Sequence, residues 1–319
     1  MPVTITDPIV QRLHALAQDS PELKDAAQLY TTLLSLIRDA DLNVGAIEMT
    51  AEQARAKLEQ GLPLLHELDL ALDVEAARDL MLRLARTLEE LPGATAPAKR
   101  RAPWARGKAP DAGALYESAH AGDGAALRAA AARQIRLALQ ENRLDLSALL
   151  PHLATGDSEF SIRIAREMRL DAGLVWTLAQ STLKPALRAW QRQLAPLIRG
   201  VIWHKGYCLI CGAGATLGEL QGNDQEKHLR CGQCGADWQF PRVQCMYCGN
   251  ADHKTLGCLY PESQRERMRV EICDNCHGYL KVIAAFSPTP AELLAVEDLA
   301  TLHLDYIAQE RGYARVALQ

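Results

Sequence analysis

Cys208-Leu209-Ile210-Cys211, Cys231-Gly232-Gln233-Cys234, Cys245-Met246-Tyr247-Cys248 and Cys273-Asp274-Asn275-Cys276 write C-x-x-C four times inside less than a quarter of a 319-residue chain. Eight of its nine cysteines sit in these pairs. Two residues between thiolates is the spacing at which one tight turn aims both sulfurs at a single ion. Two such turns complete a tetrahedral shell of four sulfurs. Four pairs therefore predict two metal sites, each with a small module built round it.

Glycine follows the second cysteine at Gly212, Gly235 and Gly249, and comes one place later at Gly278. Each glycine is expected to take φ > 0, curling the chain so that backbone N–H groups point at sulfur. Four thiolates on a divalent ion leave a net negative charge, which Lys205, Lys227, Arg230 and Arg242 stand near enough in sequence to offset. The segments between successive pairs hold 19, 10 and 24 residues. The first and last are long enough for a two- or three-stranded excursion that returns to the same ion, and ten residues suit a connector. Site one is therefore expected from Cys208, Cys211, Cys231 and Cys234, and site two from Cys245, Cys248, Cys273 and Cys276. Interleaved pairing, as in cross-braced ring modules, is the alternative.

A tetrahedron of four cysteine sulfurs suits Zn²⁺ and equally the single iron of a rubredoxin-type centre, and spacing does not separate the two. Full ligation by protein leaves no open position for water or substrate, which argues against hydrolytic metal catalysis. Structural support, electron transfer, or sensing of metal and redox state remain. A redox dithiol of the thioredoxin kind occurs once, at the start of a helix after a strand; four tandem copies with trailing glycines do not fit it. Unpaired Cys258 reads as a small apolar packing residue, with a transferable thiol as the sharper alternative. His277 reads as a surface or outer partner of site two rather than a ligand. His204, His228 and His253 lack ligand spacing and read as polar surface residues.

The net charge of −4 gives no support to broad nucleic-acid binding. No apolar run approaches the length of about 18 residues that a membrane helix needs. Met1-Pro2-Val3-Thr4 shows neither the basic start nor the apolar stretch of a secretory signal. A cytoplasmic location is expected, where paired thiols are read as metal ligands before disulfides.

The fold class expected is α+β: a mainly helical domain over residues 1–199, four-cysteine modules of rubredoxin or zinc-ribbon type at 200–240 and 241–286, and a C-terminal helix and tail at 287–319. Ser20 and Pro21 mark a helix start, and Leu23, Ala27, Tyr30, Leu34 and Ile37 follow at helical spacing. Further helices are expected at about 50–60, 74–91, 112–142, 158–169 and 173–197. Between them, residues 92–111 combine Pro, Gly and a basic cluster round Trp104, the composition of a mobile surface loop. Trp238-Gln239-Phe240 and Tyr279-Leu280-Lys281-Val282-Ile283 suit short strands. The last helix is expected to be capped by Thr289, with Pro290 first and Glu292 completing a capping box. Leu293, Val296, Ala300, Leu304 and Ile307 form its apolar face, Glu297, Asp298, Asp305 and Glu310 a solvated one, and Gly312 its end.

The residues flanking the cysteines carry a resemblance. Cys208 to Gly212, Leu229-Arg230-Cys231 to Cys234, Val243-Gln244-Cys245 to Cys248, and Glu271-Ile272-Cys273 through Tyr279-Leu280-Lys281 resemble the formate dehydrogenase accessory proteins of the FdhE family. Val296 to Ala300 and Gly312-Tyr313-Ala314-Arg315 are similar to that family's closing helix and tail. The resemblance is specific over about 200–315 and looser over the helical half.

It implies a cytoplasmic, non-enzymatic assembly factor for respiratory formate dehydrogenases, which are molybdenum or tungsten pterin enzymes that also carry an iron–sulfur cluster. The implied partner is their catalytic subunit. The implied ligands are the eight paired cysteines, and the implied cofactors are two rubredoxin-type iron ions, with two zinc ions as the alternative. No catalytic residue is implied. No membrane span or nucleic-acid partner is expected, and any self-association is expected to be a weak homodimer. Two other classes compete: an oxidoreductase using rubredoxin-like iron on its partner's cofactor, and a zinc-ribbon nucleic-acid binder. The second needs a basic face, and the cysteine region mixes its charges instead.

Overall fold

The computed structural model describes residues 7–90, 124–155 and 157–316, and the chain is α+β. The loop expected at 92–111 lies outside the described residues. Two compact units are distinguishable.

The first unit comprises Met1–Ala40, Val74–Leu149 and Ser158–Thr182. Helix α1 (Pro8–Asp19), which the apolar pattern did not reveal, starts where the Asp7 carboxylate accepts the Ile9 N–H at 2.9 Å. A 3₁₀ turn at Pro21–Leu23 leads into α2 (Lys24–Asp39). Ser20 makes no side-chain cap there, so Pro21 alone marks the entry. Of the expected apolar face, Leu23, Ala27, Leu34 and Ile37 are buried. Helix α3 (Ala51–Glu59), in the second unit, begins with a complete capping box between Thr50 and Gln53. Helix α4 (Val74–Glu90) packs along α5 (Gly124–Gln140), both in the first unit. Helix α6 (Leu146–Ala154), also unforeseen, precedes α7 (Ser158–Glu167) and α8 (Ala172–Leu194), which carries Pro185 inside it.

The second unit comprises Asp41–Asp73, Leu150–Asp157 and Leu183–Gln319. Its centre is one six-stranded sheet of order β3-β2-β1-β6-β5-β4. β1 (Leu217–Gln221), β2 (Glu226–Arg230) and β3 (Asp237–Gln239) form one antiparallel meander. β4 (Leu256–Leu259), β5 (Met268–Cys273) and β6 (Tyr279–Ala285) form the other. Each excursion between cysteine pairs thus holds two strands, with the third following the second pair. The meanders join through parallel pairing of β1 with β6, Gly218 opposite Val282 and Leu220 opposite Ala284. The two cysteine modules therefore share a sheet instead of standing as separate beads.

The C-terminal helix is two helices, α9 (Leu294–Ala300) and α10 (Leu302–Glu310), interrupted at Thr301. Thr301 turns its hydroxyl back to the Glu297 carbonyl at 2.7 Å, a bond that competes with regular helix. The expected cap fails as well. Thr289 donates its N–H to the Glu219 carboxylate and its carbonyl accepts from the Arg230 guanidinium, so α9 begins only at Leu294. Gly312 does end α10, at φ 85°. Leu304 and Ala308 pack on Val270 and Tyr279 of the sheet. No helix among the described residues is long and apolar enough to cross a membrane.

Candidate metal centres

All four C-x-x-C turns share one backbone pattern. The N–H of the first cysteine donates to the carbonyl five residues on: Cys208 to Ala213 at 2.8 Å, Cys231 to Ala236 at 2.9 Å, Cys245 to Asn250 at 2.8 Å, Cys273 to Gly278 at 3.0 Å. In three turns the residue after the second cysteine is a glycine with φ of 72–83°. In the fourth, that left-handed position belongs to His277 at φ 54°, not to Gly278 as expected. Gly278 is needed for a different reason: a Cβ there would lie 2.6 Å from Tyr247 Cδ2 and 3.2 Å from Cys276 Sγ. His277 itself is exposed and coordinates nothing in either cluster.

The turns meet in pairs. Cys208, Cys211, Cys231 and Cys234 bring their sulfurs within 4.8 Å of one another, as do Cys245, Cys248, Cys273 and Cys276. Contacts of 3.5 Å join Cys208 to Cys234 and Cys211 to Cys231; 3.6 and 3.7 Å join Cys245 to Cys276 and Cys248 to Cys273. Disulfide sulfurs sit about 2.05 Å apart, so these are not disulfides. A tetrahedron of sulfurs about 2.3 Å from an ion has edges of about 3.8 Å, and the clusters are close to that size. Two four-sulfur groups that can hold metal ions are present, and the all-sulfur donor set suits zinc or iron alike.

Amides face the sulfurs: Ile210 N–H to Cys208 at 3.4 Å, the Asn250 side chain to Cys273 at 3.5 Å, and the Asn275 side chain to Cys248 at 3.6 Å. At Cys248 burial raises the thiol pKa, yet the Asn275 amide and the Asn250 backbone outweigh it and bring the group down to about 7. Burial pushes Cys234 and Cys245 upward.

Two of the cations that sequence placed near sulfur, Lys227 and Arg230, are engaged elsewhere. Arg230 is bonded to Glu219 at 2.6 Å and Lys227 to Glu271 at 2.5 Å, both deep under the sheet surface. Lys184 and Arg188, one helical turn apart on α8, are the cations felt by Cys231, and Arg188 also by Cys234. Burial and Arg188 pull Lys184 down to about 8, against the opposing pull of Cys231 and Asp298. Sequence reasoning missed both because they lie far upstream; their i, i+4 spacing was the only local signal. Cys258 is exposed on β4, across from Glu271, and belongs to neither cluster.

Comparison with known proteins places residues 243–319 in the family model "FdhE, C-terminal domain". A "Protein FdhE homolog" of Aquifex aeolicus is 30% identical over 117 residues, 36% of this chain and 41% of that protein. One of Shewanella baltica is 27% identical over 195 residues, 59% of each. The chain thus matches about two fifths to three fifths of the length of these relatives. The crystal structure of the FdhE protein from Pseudomonas aeruginosa shares the fold, with TM-score 0.53 and 22% identity over 96% of this chain and 91% of that one. The family resemblance seen round the cysteines is confirmed.

Proposed function

We propose that this chain, which carries the FdhE C-terminal domain over residues 243–319, is a metal-binding accessory protein for maturation of respiratory formate dehydrogenase. In this reading Cys208, Cys211, Cys231 and Cys234 ligate one ion, and Cys245, Cys248, Cys273 and Cys276 another. The protein acts in the cytoplasm by binding the enzyme's catalytic subunit. The observation that carries it is the pair of four-sulfur clusters at tetrahedral spacing, the second of them inside the residues that match this family's domain. The ions supply cross-links that hold the shared sheet in shape. The chain's own part is to aim amides at the sulfurs and to set Lys184 and Arg188 beside the first cluster. Binding the immature subunit is then a matter of surface. Co-purification of the tagged chain with the catalytic subunit, with metal analysis of the complex, tests this. Absence of the subunit from a metal-loaded bait would overturn it.

A second reading, a rubredoxin-like iron oxidoreductase acting on the partner's cofactor, is favoured by one observation: Cys248 is exposed, so the second cluster has an edge open to electron exchange. Ferric thiolate absorbs visible light and zinc does not. A red protein with a reversible couple supports this reading, and a colourless protein with two zinc ions removes it.

A further inference from the structure

The two clusters differ in their distance from solvent. Cys208, Cys231 and Cys234 are at most 1% exposed and Cys211 is 6% exposed. In the second cluster Cys245 and Cys273 are buried, but Cys248 is exposed and Cys276 half-exposed.

The difference has structural causes. Leu64 and Leu65 donate their N–H groups to the Leu209 and Ile210 carbonyls at 2.9 Å, roofing the Cys208 turn with residues from far upstream. The Tyr207 hydroxyl adds a bond to the Gly61 carbonyl at 2.8 Å. The Cys231 turn is shut by Ala291, which would stand 2.4 Å from a Cβ at Gly235, while Arg188 bonds the Ala291 carbonyl at 3.2 Å. At the second cluster Tyr313 and Ala314 bond to the Cys273 turn, yet that contact leaves Cys248 exposed and Cys276 half-exposed. Over Cys248 lies the amide of Asn275, itself exposed. On the other side a cleft of about 310 Å³ reaches Cys245 and Cys273, lined also by Arg242, Val243 and Cys258.

We propose that the second cluster is the exchange centre of this protein, entered and left by a borderline divalent ion through Cys248 and Cys276, while the first is closed. This rests on the reading that both clusters hold ions. In the exchange an outside donor, a thiolate or a chelator, forms a bond to the ion as the bond from Cys248 Sγ breaks; no electron changes hands. Exchange at the first cluster requires the 61–65 roof and the Ala291 contact to open, a local unfolding with its own free-energy cost.

The test uses the full chain loaded with two zinc ions and challenged with EDTA and iodoacetamide together. Zinc release is followed with time, and alkylated cysteines are mapped by mass. Cys258, exposed and outside both clusters, labels first and serves as the internal standard. The expected result is biphasic release, the first equivalent leaving at least about tenfold faster than the second. Cys248 and Cys276 label in the fast phase while Cys208, Cys211, Cys231 and Cys234 stay unlabelled. Release of both ions in one phase, or labelling of the first cluster ahead of the second, overturns the proposal alone. A chain that takes up neither zinc nor iron overturns the metal reading and the proposal with it.

Discussion

The Lys281 ammonium, fully buried on β6, lies 2.6 Å from the Asp305 carboxylate on α10 and 2.8 Å from Asp298 on α9. The Tyr279 hydroxyl donates to the same Asp305 at 2.6 Å. Asp298 and Asp305, expected on a solvated acidic face, are thus the ionic joint between the C-terminal helices and the sheet. A buried charge left without its partner is costly, whereas replacing a whole pair with apolar groups can be neutral. Asp305→Ala is expected to lower unfolding free energy by about 3 kcal/mol or more. Lys281→Met combined with Asp305→Leu should recover most of it. Denaturant titration of the singles and the double measures the coupling, and strict additivity would contradict the joint.

The residues after α10 form a strap on the second cysteine module. Ala314 N–H bonds the His277 carbonyl at 2.9 Å, Tyr279 N–H bonds the Ala314 carbonyl at 3.1 Å, and the Tyr313 hydroxyl reaches Asp274 at 2.6 Å. Arg315 completes it with Asp298 at 2.6 Å. Tyr313→Phe removes a single, partly exposed hydrogen bond worth about 1 kcal/mol. Hydrogen exchange should quicken at the amides of residues 273–279 and stay unchanged at 208–213. Equal acceleration in both turns would sink the idea of a local strap.

Removing a ligand from the closed centre should cost far more than removing one from the open centre. A structural site of four cysteines contributes folding free energy on the order of 10 kcal/mol. Cys234→Ser, at a residue 1% exposed, is expected to lose one ion, melt β1–β3 and abolish subunit binding. Cys248→Ser should lose one ion while β1–β3 keep their exchange protection. Metal stoichiometry with peptide-level hydrogen exchange distinguishes them, and identical behaviour of the two variants counts against unequal centres.

Much of this was legible because C-x-x-C pairing is local. Each turn needs six consecutive residues, and the lengths between turns decide which of them can meet. The helix start at Thr50 was legible for the same reason. What escaped notice depends on partners distant in sequence. Nothing in Leu217–Gln221 or Tyr279–Ala285 taken alone announces that these strands pair in parallel and fuse two modules into one sheet. Lys184 and Arg188 read as ordinary helix charges until α8 is seen beside Cys231. Thr289 lost its capping role to Glu219, seventy residues upstream, a long-range bond overriding a sound local signal. His277 took the conformation assigned to glycine because tight packing, not φ, fixes Gly278.

The cross-strand pair of His228 with Asp237, Nδ1 to Oδ1 at 2.6 Å, gives the first module a pH dependence separable from metal chemistry. The hydrogen bond to Asp237 leads the causes that raise the His228 pKa above its ordinary value; burial opposes, and Glu226 and Glu219 add to the rise. Burial raises the Asp237 carboxyl, but the bonds from His228 and Gln221 outweigh it and leave it below the usual range, so it stays ionised. A histidine whose folded pKa is raised stabilises fully below its unfolded value of about 6.5, and loses that contribution as pH climbs through the folded value. Metal ligation by cysteine runs the other way, weakening as acid protonates the thiolates. The informative quantity is therefore the difference in melting temperature between the wild type and His228→Gln at matched pH. That difference should favour the wild type at about pH 6 and shrink steadily towards about pH 8.5. A difference constant across this window would show that His228 does not carry the charge in the pair.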